Sequence, residues 1–107
     1  MANTFKNAGV AIGTSATTIY TAPANTTGVI HAIYISNVDG TNDATVDITV
    51  TDTSASATFY ILKTVDVPAD STLVIEKPIN LEAGDILKAL ASATSDLQAF
   101  ASILEIT

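Results

Sequence analysis

The sequence predicts an all-β fold: a single antiparallel β-sandwich of immunoglobulin-like or jelly-roll type, with about seven to eight short strands. Three observations carry this. Short β-rich segments recur, separated about every 8–12 residues by turns built from Gly, Pro, Asn, Asp and Ser. The clearest segment alternates apolar and polar residues with a period of two. No βαβ alternation and no internal repeat breaks the series. The chain has 107 residues, enough for one domain, and 48% hydrophobic against 14% charged residues is the composition of a chain with a core. It divides into an N-terminal arm, residues 1–15, and a β-sandwich domain, residues 16–107.

The first strand is expected at Thr17–Thr21 and is ended by Ala22-Pro23-Ala24-Asn25. Gly28–Val38 follows as a longer strand. Strict alternation places Ile33 and Ile35 on one face with Val29 and His31, and Ile30, Ala32 and Tyr34 on the other. Both faces are apolar, so the strand is expected to be central or covered on both sides. Asp39-Gly40-Thr41-Asn42-Asp43 reads as a turn. Ala44–Thr53 is the clearest strand, with Val46, Ile48 and Val50 facing the core and Thr45, Asp47, Thr49 and Thr51 facing out. Beyond the loop Ser54–Ala57, Thr58–Val65 reads as a strand with Phe59, Ile61 and Lys63 on one side and Tyr60 and Leu62 on the other. Val67-Pro68-Ala69-Asp70-Ser71 is a turn, and Thr72–Glu76 is a short strand closed by Lys77-Pro78. Leu81–Asp85 is a further turn, with Gly84 as its residue of positive φ. Ile86–Ala91 and Leu97–Ile106 are two strands, expected to pair as a hairpin across Ser92–Asp96. A helical reading of residues 81–104 competes through the Ala-rich stretches. Gly84, Thr94 and Ser95 argue against it.

Composition narrows function mainly by exclusion. There is no cysteine, hence no disulfide framework, thiolate metal site or thiol nucleophile. Eleven acids against four lysines, with no arginine, leave a net charge of −7. Nucleic acids and anionic membranes select for Lys and Arg, so neither is an expected partner. The opening MANTFKNAGVAIGTS lacks the apolar core of a secretory signal, and no apolar run reaches membrane-spanning length. Synthesis in the cytoplasm is the expectation. Asn25-Thr26-Thr27 matches a glycosylation acceptor, which has no meaning without secretion.

Candidate chemistry is sparse. His31, the single histidine, sits mid-strand and reads as a structural or interface residue, since no nucleophile elbow accompanies it. Asp39, Thr41 and Asp43 are spaced like calcium-loop ligands, but the sixth-position glycine and the closing glutamate are missing. An Asx turn explains them, with a weak calcium site as the alternative. Two carboxylate pairs, Asp47 with Asp52 and Glu82 with Asp85, read as solvated faces. No catalytic, cofactor-binding or metal-binding residue is assigned, no cofactor or small-molecule substrate is expected, and the chain is read as non-enzymatic.

Two longer stretches are more specific. The first is Ile19-Tyr20-Thr21-Ala22-Pro23-Ala24-Asn25-Thr26-Thr27. The second is Leu81-Glu82-Ala83-Gly84-Asp85-Ile86-Leu87-Lys88, with Leu104-Glu105-Ile106-Thr107 closing the chain. Between them lie the segments Val46–Asp52 and Tyr60–Pro68. In this order they resemble small virion structural proteins of tailed bacteriophages. That resemblance implies a β-sandwich without enzymatic activity, located in the virion. Its size resembles a capsid decoration (cement) protein at the capsid surface, with the major capsid protein and further copies of itself as partners, a trimer being favoured. A tail, neck or fibre-attachment component is the alternative. A carbohydrate-binding sandwich module is a second alternative, weakened by the absence of tryptophan and the presence of only three tyrosines. The charge generates one direct test: a mobility-shift assay at about 0.15 M salt is expected to show no sub-micromolar binding to DNA or RNA.

Overall fold

Inward-facing aliphatic residues on alternate positions build two sheets that close on each other. The computed structural model describes residues 2–107. Nine strands run in the order β1 (Asn3–Ala11), β2 (Thr17–Thr21), β3 (Thr27–Asn37), β4 (Ala44–Asp52), β5 (Ala57–Val67), β6 (Thr72–Ile75), β7 (Ile79–Leu81), β8 (Ile86–Ala91) and β9 (Leu97–Ile106). All pairings are antiparallel. One sheet has the order β1-β9-β3-β6, with β7 also on β3; the other has the order β2-β8-β4-β5.

β6 and β7 are two halves of one edge strand. Both pair with β3, β6 along Ile33–Ser36 and β7 along Gly28–Ile30. Between them lie Glu76, Lys77 and Pro78, and the proline has no N–H to continue the ladder. With this pair counted as one strand, the first sheet holds strands one, eight, three and six, and the second holds two, seven, four and five. That is the jelly-roll arrangement, so of the two expected types the chain adopts the jelly roll.

The core lies between the sheets. Ile33, Ile35, Leu97, Ala101 and Ile103 from one side meet Val46, Ile48, Leu87, Ala89 and Ala91 from the other, all buried. β8 and β9 each have one dry face, and they lie in opposite sheets. The expected hairpin across Ser92–Asp96 is therefore not formed. A hairpin would lay β8 and β9 edge to edge; the crossover sets their apolar faces against each other across the core.

Two further expectations change. The register of β3 against β9 shifts between Ile30 and Ala32, so His31 is an extra residue in a β-bulge. Alternation restarts after it. Ile30 is buried together with Ile33 and Ile35, while His31 and Tyr34 are exposed. The predicted face, which grouped Ile33 and Ile35 with His31, fails because a bulge resets a period of two. The segment expected to be an arm carries strand β1, paired with β9 from Asn3 to Ala11. Most of its side chains are exposed, so it is attached largely through its backbone.

β5 is bulged twice against β4, and Thr64 takes the unusual φ of 52° in its second bulge. The amide of Thr64 donates to Asp47 Oδ1 at 2.7 Å, which satisfies the group that the bulge removes from the ladder. Gly84 has the expected positive φ, at 88°. Ile48 is fully buried in a central strand, whereas Thr49 faces outward. Ile48→Ala is expected to cost about 2–5 kcal/mol. Thr49→Ala is expected to cost less than about 1 kcal/mol. Urea denaturation midpoints of the two variants check both values.

Candidate functional site

The acidic residues that stand out in the sequence are built into turns. Asp39 Oδ1 accepts the amides of Thr41 at 2.8 Å and Asn42 at 3.2 Å, which is an Asx turn. Asp43 Oδ1 instead accepts the amide of Ala69 at 3.0 Å, tying this turn to the one after β5. Asn37, buried at the end of β3, donates to the carbonyls of Asn42 and Val67 and accepts the amide of Asp39. The Asp39 carboxyl is held below the ordinary carboxylate range, chiefly by the amide of Thr41. Asp96 is pushed above that range, first by desolvation and then by the neighbouring charge of Asp39.

The carboxylates regroup relative to their spacing in the sequence. Asp52, from the end of β4, joins Glu82 and Asp85 within 4.8 Å, while Asp47 stands apart from them. Asp85 is buried and accepts the amides of Thr53 and Glu82 at 3.1 and 2.9 Å. Ser54 Oγ donates to both Asp52 and Glu82. The group thus joins the β4–β5 turn to the β7–β8 turn. Asp47 faces Lys63 Nζ at 3.8 Å, and that ammonium lies 4.8 Å from the centroid of the Tyr60 ring.

One cluster escaped the sequence reading. The Tyr20 hydroxyl donates to Glu105 Oε2 at 2.6 Å, from β2 to β9 across the end of the sandwich. Lys6 Nζ lies 3.9 Å from the other oxygen of Glu105. The Tyr20 ring packs over Gly28, where an added Cβ would come within 2.9 Å of it. Burial and the bonded carboxylate raise the Tyr20 pKa, so the hydroxyl stays protonated and bridges the sheets. Residues 85 apart make this contact, which no local pattern announces.

The two outer faces differ in character. On the β2-β8-β4-β5 sheet the outward row carries Thr45, Asp47, Thr49 and Thr51, beside Tyr60 and Lys88. This face is rich in hydroxyls and carries charge. On the opposite sheet Phe100 pairs with Tyr34, and Tyr34 with Val74, all three exposed. Phe5 is 79% exposed, and its ring centroid lies 6.4 Å from that of His31. His31 therefore belongs to an exposed aromatic surface. The missing signal was the bulge, which turns His31 and Tyr34 outward on the same sheet.

Comparison with known proteins bears on the fold. No protein-family model matches the sequence, and no curated protein does. The chain is similar in structure to one in the acidic stable capsid structure of Helicobacter pylori bacteriophage KHP30. The TM-score is 0.55 at 8% identity, covering 100% of this chain and 89% of that one. A pentameric capsid protein isolated from metagenomic phage sequences aligns at a TM-score of 0.44 and 19% identity, over 91% of this chain and 59% of its own. The first likeness shows a shared fold.

The Asp39–Asp96 pair generates a pH test. Asp96 has a raised pKa in the folded state, so its contribution to stability is present at low pH and lost as pH rises through that value. Asp39 has the opposite sign: its contribution is lost as pH falls. Asp96→Asn keeps a donor toward Asp39 and removes the opposing charge. Thermal melts are expected to show the variant more stable than the parent at pH 7, with the gain gone by about pH 3.

Proposed function

We propose that this chain is a non-enzymatic structural protein of a bacteriophage virion, and within it a capsid decoration protein seated on a shell of major capsid protein. The observation that supports this reading is the jelly roll itself, aligned along the whole chain with a chain of a phage capsid. The side chains agree with it. Conspicuous acids are engaged in turns, and the exposed features are sheet faces, suited to broad contact with other proteins. A coat component works by shape, copy number and solubility, and the −7 charge serves the last of these. The same charge steers approach to a basic patch on a shell, while close packing of the threonine-rich sheet face, rather than ion pairs, holds the seated protein.

Imaging of the intact particle tests the assignment. Extra density on an icosahedral lattice supports it; density confined to the tail or neck transfers the chain to those parts and overturns it. A wash from low salt to about 1 M NaCl tests the mode of attachment, because salt screens exposed charge pairs. Bound copies are expected to be retained. Stepwise release that reverses on dilution would assign attachment to the acids instead.

A further inference from the structure

We propose that the outer face of the β1-β9-β3-β6 sheet is a two-fold self-association surface, which takes the same face of a second copy of this chain. The first argument is charge. The outward positions of these four strands carry no Asp, Glu or Lys, in a chain of net charge −7. The charges of this sheet, Lys6 of β1 and Glu105 of β9, sit at inward positions and pair with each other; Asp47 and Asp66 are on the opposite sheet, Asp39 and Asp52 are at the turns, and Glu76 is just past the end of β6. Two copies brought together through the turns oppose carboxylates, and through the opposite sheet they would have to desolvate Asp47, Lys63 and Lys88, both of which cost association. Through this face they do neither.

The second argument is shape. A slot of about 370 Å³ crosses the face, with Gly9, Ala11, Ser36 and Gln98 as its low side and Phe100 and Tyr34 as its walls. The Phe100 ring leans over Gly9, and an added Cβ there would lie 3.3 Å from it. Ridge and slot sit side by side on one surface. A two-fold axis between them places the aromatic ridge of each copy over the slot of the other, as an isologous contact requires. Exposed aromatic residues are common anchors of such contacts.

The third argument is area. β9 is 10 residues long, about 33 Å at the rise of a strand, and four strands span about 15–19 Å. Two such faces together bury on the order of 1,000 Å², the lower limit for a specific interface.

The test uses the purified full chain without any particle, so it stands or falls separately from the virion reading. Sedimentation equilibrium is expected to give twice the monomer mass, with affinity unchanged or tighter at about 1 M NaCl, where repulsion between the acidic chains is screened. Phe100→Asp is expected to weaken association more than about tenfold. Gln98→Glu puts a carboxylate into the slot while leaving the apolar residues in place, and should weaken it in the same direction. Phe59→Asp, on exposed β5, should leave it unchanged. Circular dichroism melts confirm that each variant is folded. A chain that stays monomeric at about 100 µM overturns the proposal, and so does a trimer, which needs a heterologous contact. Dimerisation unaffected by Phe100→Asp and Gln98→Glu also overturns it.

Discussion

The structure depends on keeping one face of each central strand dry. No helix and no disulfide reinforces the described chain, so the core is built chiefly where the inward faces of β3 and β9 meet those of β4 and β8, closed at its margins by Ile12, Ile19, Val67 and Leu81. A period of two leaves no tolerance: one residue of slip turns an entire strand inside out. The bulges therefore sit where they restore phase. The one at His31 lets β3 bury Ile30 and also Ile33 and Ile35, which alternation alone cannot do. The break between β6 and β7 falls beside it, so the edge strand pairs with each half of β3 separately.

The acidic composition follows from the same constraint. A jelly roll of short strands has many turns and edges, and each leaves backbone amides without sheet partners. Asp39, Asp43 and Asp85 accept such amides in turns, and Asp47 accepts the one freed by the β5 bulge at Thr64. Thr64 is β-branched and holds a positive φ, a costly conformation that this bond helps to maintain. With Glu105 of β9 turned inward to Tyr20 and the remaining acids drawn to turns and to one sheet, the outer face of the other sheet is left uncharged.

The molecule thus has two unlike sides on one scaffold. One presents threonine hydroxyls with Asp47, Lys63 and Lys88; the other presents Phe5, Tyr34 and Phe100. The two faces are distinct because the two sheets of the jelly roll turn their outer sides in opposite directions.

β-rich segments bounded by turn residues were enough to place Thr17–Thr21, Ile86–Ala91 and Leu97–Ile106 at the boundaries observed for β2, β8 and β9. Local pattern also identified Val46 and Ile48 as core and Gly84 as a residue of positive φ. These are properties of neighbouring residues, set by side-chain period and backbone sterics. The partners of each strand were not determined in this way. That β8 and β9 part into opposite sheets, that β1 pairs along β9, and that Tyr20 reaches Glu105 are decided by contacts between residues far apart in the chain. The bulge at His31 belongs with them, because its local sequence reads as unbroken strand. Only the register demanded by β9 on one side and by the core beneath makes the extra residue favourable, and that demand exists only once the sheets have met.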